Sequence, residues 1–335
     1  METASVNAAG VFAMTLERYR DCHKEQWNRF VAGSKNGTFL FFRDYMDHHR
    51  DRFPDHSVLI YEDGALVALL PATATGTDVL ASHAGLTYGG FVIGADMKTP
   101  RLLRVFDAVM GSFRDAGVRE LLYKPVPHIY HTIPAEEDRY ALLRLGARWI
   151  RSGLLAVVPR GNRIPFQERR RRGVRKAERA GLRIAPSDDV ERYWEILAAM
   201  LARAYATRPV HSVEELRFLM RTFPENIRLF GCFEMDAMLA GAIIYESAAV
   251  AHVQYIAATD RGKSVGALDC LFDHLLNAVY ADKAYFDFGT SEEGGCINQG
   301  LIEQKEGFGA RAVAQDQYVI DVQGWTPGLL ARSLV

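Results

Sequence analysis

The chain has 335 residues, of which 49% are hydrophobic and 24% charged, and its formal net charge is −1. That length suits two domains, and the balance of residue types excludes a disordered chain. No apolar run approaches the roughly 18 residues that a membrane span needs.

The opening segment 1–13 holds Glu2 and no basic residue, so no signal peptide is expected there. Cys22, Cys232, Cys270 and Cys296 form no CxxC pair, and the histidines lack metal-ligand spacing. A reduced cytoplasmic setting without a metal is the expectation.

Trp27, Phe30 and Val31 recur at helical spacing before a break at Gly33–Gly37, and a second helical stretch around 42–49 ends near Pro54. Residues 57–61 and 65–72 read as a hairpin, because Glu62-Asp63-Gly64 supplies a turn that accepts positive φ. Extended segments follow at 79–82 and 88–93. Thr99-Pro100 then opens a helix with Leu102, Leu103, Phe106, Val109, Met110 and Phe113 on one side. Gly117 ends it, and 118–123 is a buried strand.

The second half repeats the order. Segments 226–233 and 237–245 flank a turn at Glu234-Met235-Asp236, 250–257 is a strand, 265–280 a helix and 285–288 a strand. Hairpin, strand, helix and strand occurring twice argue for internal duplication, with the join near 151–165. The expected domains are 15–150 and 151–325, with a tail at 326–335.

Charge is unevenly spread. Arg169, Arg170, Arg171, Arg172, Arg175, Lys176, Arg179 and Arg183 make eight cations in one short helical segment. Three readings stand: a solvated face, a phosphate-binding surface for a nucleotide-linked acceptor, and a landing site for tRNA. Nothing resembles a DNA-binding module.

Several stretches resemble the FemAB-like, BioF2-like branch of the GNAT acetyltransferase superfamily. They are residues 82–90 (Ser-His-Ala-Gly-Leu-Thr-Tyr-Gly-Gly), 123–131 (Tyr-Lys-Pro-Val-Pro-His-Ile-Tyr-His), the basic run 172–181, Asp287-Phe288-Gly289, and Lys305-Glu306-Gly307-Phe308-Gly309. The resemblance implies an α/β fold with a mixed sheet, in two tandem GNAT-like domains of Fem-type architecture, with the acceptor bound between them. It implies transfer of an acyl group from a thioester or aminoacyl ester to an amine.

On that footing Lys305 matches a site lysine of Fem-type enzymes and would stabilise an oxyanion or a phosphate. Asp287, flanked by Phe286 and Phe288, is either a base or the partner of a nearby cation. Glu292, Glu293, Glu303 and Glu306 are further base candidates, and Cys296 lacks an activating histidine. Arg261, Gly262, Lys263, Ser264 and Gly266 occupy the place where acetyl-CoA or another acyl-CoA would lay its phosphates on a helix start. The usual spacing of that loop is not met, and an ordinary helix-capping loop is the competing reading.

His83, Thr87, Tyr88, Lys124, His128, Tyr130 and His131 cluster where strands leave the first sheet and suit acceptor binding, as do Arg175 and Lys176. The expected function is an N-acyltransferase acting on a small or carrier-linked amine, such as an amino sugar of a surface polysaccharide. The alternatives are an aminoacyl-tRNA-dependent peptidyltransferase acting on a cell-wall precursor, and an inactive binding module.

Overall fold

A computed structural model describes residues 14–205, 211–293, 295–330 and 332. The segment 1–13, Gly294 and part of the expected tail 326–335 lie outside the described residues. The chain divides into two units, 1–153 with 314–335, and 154–313.

In the first unit, β1 (Met14–Arg18), α1 (Lys24–Gly33) and α2 (Arg43–Met46) precede the expected hairpin of β2 (Val58–Glu62) and β3 (Ala65–Leu70). Asp63 at φ 50° and Gly64 at φ 80° make its turn, which matches the twist of the paired strands. Short strands β4 (Thr73–Ala74), β5 (Val79–Ala81) and β6 (Val92–Ile93) lead to α3 (Thr99–Asp115), then to β7 (Glu120–Tyr123) and α4 (Glu137–Arg144). The inward residues of α3 are buried as their periodicity predicts, against Phe91, Tyr123, Ile60 and Leu70. Strand β5 runs parallel to β7.

The boundary at Gly153 falls inside β8 (Arg148–Pro159). The second unit continues with α5 (Glu168–Arg179), β9 (Arg183–Ser187), α6 (Val190–Tyr205) and α7 (Val213–Thr222). A meander of β10 (Ile227–Glu234), β11 (Ala237–Glu246) and β12 (Val250–Ala258) follows, then α8 (Asp260–Val265), α9 (Ala267–His274) and β13 (Tyr285–Thr290). A small ribbon, β14 (Glu292–Glu293) and β15 (Cys296–Ile297), precedes α10 (Gln299–Glu306) and β16 (Arg311–Asp321). Strand order within this unit is β8-β13-β12-β11-β10-β9, with β12 parallel to β13 and the other pairs antiparallel. One face of that sheet packs Ala251, Val253, Ile244, Phe286 and Phe288 against Leu271 and Phe272 of α9.

Two features differ from the sequence expectation. The second domain was expected to be continuous over 151–325, but residues from 314 onward belong to the first unit, where β16 pairs Tyr318 with Tyr123 and gives β7 its second neighbour. The expected helix 265–280 starts earlier, at Asp260, and breaks at Gly266. Gly266 sits at φ 80°, and a Cβ there would lie 2.4 Å from the Gly173 carbonyl oxygen of α5, so close helix packing requires glycine at this break.

Candidate functional site

The parallel pair β12 and β13 holds for three positions, Val250 with Tyr285, Ala251 with Phe286 and His252 with Asp287, and then the strands part. Irregularities in both strands accompany the parting. In β12 the register jumps from Val253 opposite Ile244 to Tyr255 opposite Ile243, leaving Gln254 as an extra residue. In β13 the register against β8 shifts between Asp287 and Thr290, with Gly289 at φ 69°. Bulges of this kind bend a strand and re-aim its side chains.

His252 and Asp287 face each other where the strands part. Asp287 is fully buried, its Oδ2 lies 2.8 Å from His252 Nδ1, and its Oδ1 accepts the Gly289 N–H at 2.7 Å. A carboxylate is acceptor-only when ionised, so Asp287 holds the proton of His252 on Nδ1 and leaves the Nε2 lone pair for a ligand. The first unit offers a direct contrast at the same register. There the third parallel pair is Ala81 with Leu122, and the strand ends are stitched shut: Ser82 N–H donates to Leu122 O, Lys124 N–H to Ser82 Oγ, and Gly89 N–H to Lys124 O.

The bulge at Gln254 also decides which residues share a face. His252 pairs with Tyr245 and Tyr255 with Ile243, so His252 and Tyr255 point the same way, although in a regular strand residues three apart would not. Gly241 belongs to that face, and a Cβ on it would meet the ring of Tyr193 from α6 at 2.6 Å. Trp194 meets Tyr255 edge-on at 5.8 Å, and His211 Nδ1 lies 2.7 Å from the Tyr255 hydroxyl. The Tyr193 hydroxyl and Ser291 Oγ are among the buried side-chain polar atoms of this unit that have no hydrogen-bond partner among the described residues.

Lys305, expected from the resemblance to meet an oxyanion or a phosphate, is buried in the last turn of α10. Its Nζ donates to the Gly289 carbonyl at 3.2 Å and the Thr290 carbonyl at 2.6 Å, which braces the bulged end of β13. Burial lowers its pKa to about 8, against the opposing pull of the Asp287 charge.

The suggested phosphate loop is internally committed. Thr259 Oγ1 caps α8 by accepting the Gly262 N–H at 3.0 Å, Arg261 is paired with Glu234, and Ser264 Oγ donates to the Arg261 carbonyl. Asp260 accepts two hydrogen bonds from Arg203, each 2.7 Å, and lies 3.9 Å from Lys263. Gly262 is required by packing, since a Cβ there would lie 2.3 Å from the Leu239 carbonyl oxygen.

The basic helix α5 is likewise divided. Arg169 donates to the Glu303 carbonyl, Arg170 pairs with Asp269 over the Phe308 ring, and Arg171 and Arg175 share Glu168. Arg172, Lys176 and Arg179 are exposed and make no ion pair among the described residues. Their spacing puts them in one stripe along the helix.

In the first unit, the strand-exit cluster separates into packed and exposed members. Tyr88 bonds Thr38 through its hydroxyl at 2.9 Å and packs against Tyr130 with ring centroids 4.7 Å apart and planes tilted by 47°, so both aromatics are core. His83 is buried at φ 65°, and burial followed by the Lys124 charge depresses its pKa to about 3, so it is neutral. Lys124 donates to the Leu86 carbonyl at 2.6 Å, and burial lowers its pKa to about 8. His131 sits against the Val126 carbonyl, while Thr87 and His128 are exposed.

Sequence reasoning missed His252. Its signal was a lone histidine in the apolar run Val250-Ala251-His252-Val253, in a strand beside the one that Asp287 interrupts.

Lys305 generates a test. The unfolded chain keeps the lysine proton up to 10.5, whereas the folded chain releases it near 8. Between those values the unfolded state binds more protons, so stability rises with pH across the window. Relative to Lys305→Met, the parent should gain on the order of 3 kcal/mol from one end of the window to the other. Chemical denaturation of both proteins at the two ends measures it, and a pH-independent difference would contradict the burial.

Residues 166–294 match the family model of the acetyltransferase (GNAT) domain. No curated protein sequence matches the chain. The crystal structure of FemX is similar with a TM-score of 0.66 at 12% identity, over 92% of this chain and 98% of that one. A conserved protein of unknown function from Bacteroides thetaiotaomicron gives a TM-score of 0.59 at 11% identity, over 91% and 98%. A tandem GNAT protein from the clavulanic acid biosynthesis pathway gives 0.50 at 10% identity, over 93% and 100%. At such identities the likeness is one of fold. Residues of the second unit thus match a GNAT acetyltransferase domain, and along most of its length the chain has a fold similar to those of FemX and of a tandem GNAT protein.

Proposed function

We propose that the protein is an N-acyltransferase whose chemistry is carried by the second unit, with His252 as general base and Asp287 as its positioning residue. The observation that carries this reading is the 2.8 Å contact between His252 Nδ1 and a fully buried carboxylate, made where two parallel strands part. As the acceptor nitrogen attacks the donor's carbonyl carbon, Nε2 takes the nitrogen's proton. The bond from that carbon to the leaving group then breaks, and an amide results. Asp287 stabilises the imidazolium that forms, an arrangement known from other acyl-transfer sites. Asp287 itself is a poor base, because both of its oxygens already accept hydrogen bonds.

Acyl-CoA suits this site as the donor substrate. Beyond His252, β12 has no partner on its β13 side among the described residues, and an amide-bearing chain entering there would find backbone groups to pair with. Lys305 supports the site by bracing the carbonyls of Gly289 and Thr290, and it brings positive charge near the dyad. The adenine-nucleotide end of the donor would have to compete with Glu234 and Asp260 for Arg261 and Lys263. The acceptor is a small or carrier-linked amine, and the stripe Arg172, Lys176 and Arg179 suits a phosphate on it. A second reading, aminoacyl transfer from tRNA, draws on the same stripe.

Calorimetry with acetyl-CoA, followed by thiol-release assays over a panel of amines and amino sugars, tests the function. Binding and amine-dependent thiol release are expected. His252→Gln should lower kcat by about 10²–10⁴ with little change in acetyl-CoA affinity, and Asp287→Asn should also lower kcat. Activity retained in His252→Gln would remove the base. No acetyl-CoA binding, together with transfer from aminoacyl-tRNA, would favour the second reading.

For a phosphorylated acceptor, Lys176→Ala and Arg179→Ala should each raise KM about tenfold or more, with a weaker dependence on salt than the parent shows. Arg175→Ala should do less, since Glu168 already occupies that guanidinium. Equal effects at all three positions would mean that the stripe has no special role.

A further inference from the structure

Nine large apolar side chains are exposed among the described residues, and Ile133, Tyr140, Leu143, Trp149 and Ile150 of the first unit are five of them. Leu143 is 76% exposed and Trp149 63%. Helix α4 buries Asp138, Ala141 and Leu142, which leaves Tyr140, Leu143 and Arg144 on its outer side at helical spacing. A short turn through Gly146 leads into β8, where Arg148, Trp149, Ile150 and Arg151 are all exposed. Successive strand residues point to opposite faces, so both faces of this strand start are uncovered. The Trp149 indole N–H donates to the Arg151 carbonyl at 3.0 Å, which lays the ring along the strand.

Charge distinguishes the patch from an ordinary sticky surface. From Arg139 to Gly153 the chain has four arginines and no acidic residue. Arg139 is paired with Glu136 and Asp316, and Arg144, Arg148 and Arg151 are exposed around the apolar group. A second copy docked through the same face would set arginines against arginines, which opposes symmetric self-association. Tryptophan, tyrosine and leucine ringed by arginine instead match a lipid headgroup layer, where apolar rings enter the interface and cations meet phosphates.

We propose that this face of the first unit docks on an anionic lipid membrane. Attachment is peripheral, since no described helix is long and apolar enough to cross a membrane. This inference does not depend on the acyl-transfer reading, because none of these residues belongs to the second unit.

Co-sedimentation of the full chain with mixed phosphatidylglycerol–phosphatidylcholine vesicles, and with pure phosphatidylcholine vesicles, tests it. Binding should favour the anionic vesicles and weaken with added salt. Each arginine near such a surface contributes about fivefold in affinity, so Arg148→Glu with Arg151→Glu should reduce binding by at least about 25-fold. Leu143→Ser with Trp149→Ser should reduce it about tenfold or more, with the thermal midpoint little changed because both side chains are exposed. Equal or absent binding to the two vesicle types would overturn the proposal. So would full binding by both double variants, or a dimer in sedimentation velocity that the Leu143→Ser, Trp149→Ser pair disperses.

Discussion

A carboxylate that has lost all contact with water keeps its charge only if hydrogen-bond donors replace the water it gave up. Asp287 meets that condition with two groups, the backbone N–H of Gly289 and the ring nitrogen of His252. The first requires the chain to fold back just after Asp287, which Gly289 does at positive φ. The second requires β12 to bring His252 into register. Lys305 then binds the two carbonyls that the fold-back exposes. The parting of the strands, the orientation of the imidazole and the burial of a lysine thus follow from one buried charge.

The two units make the point by contrast. Both place a long helical connection between two parallel strands, and both pair those strands over three positions. In the first unit the third pair is aliphatic, no charge has to be satisfied, and Ser82, Gly89 and Lys124 close the gap with two backbone hydrogen bonds and one to the Ser82 hydroxyl. In the second unit a histidine and an aspartate stand there, and the gap stays open.

Much of the fold was legible because hydrophobic spacing and turn chemistry are local. The hairpin at Asp63-Gly64, the inward face of α3 and the hairpin of β10 with β11 could all be read from neighbours in sequence. The site was less legible, because its meaning lies in pairings between distant residues. Asp287 was visible as a polar interruption, but whether it acts as a base or holds a partner depended on His252, 35 positions away. Gly262 and Gly266 looked like a phosphate cradle, yet glycine serves equally where two backbones touch, and here they touch Leu239 and Gly173. Lys305 and the arginines of α5 carry the same charge in sequence whether they face solvent or a carbonyl, and only packing separates the two.

The central claim is that Asp287 fixes the tautomer of His252 so that Nε2 carries a free lone pair. Nitrogen-15 NMR of the protein labelled at histidine reads this directly, since protonated and unprotonated ring nitrogens resonate far apart. The account predicts that neutral His252 is protonated at Nδ1 in the parent, and that this preference is lost or reversed in Asp287→Asn. A neutral His252 protonated at Nε2 in the parent would leave no base at the mouth of the parted strands and would contradict it.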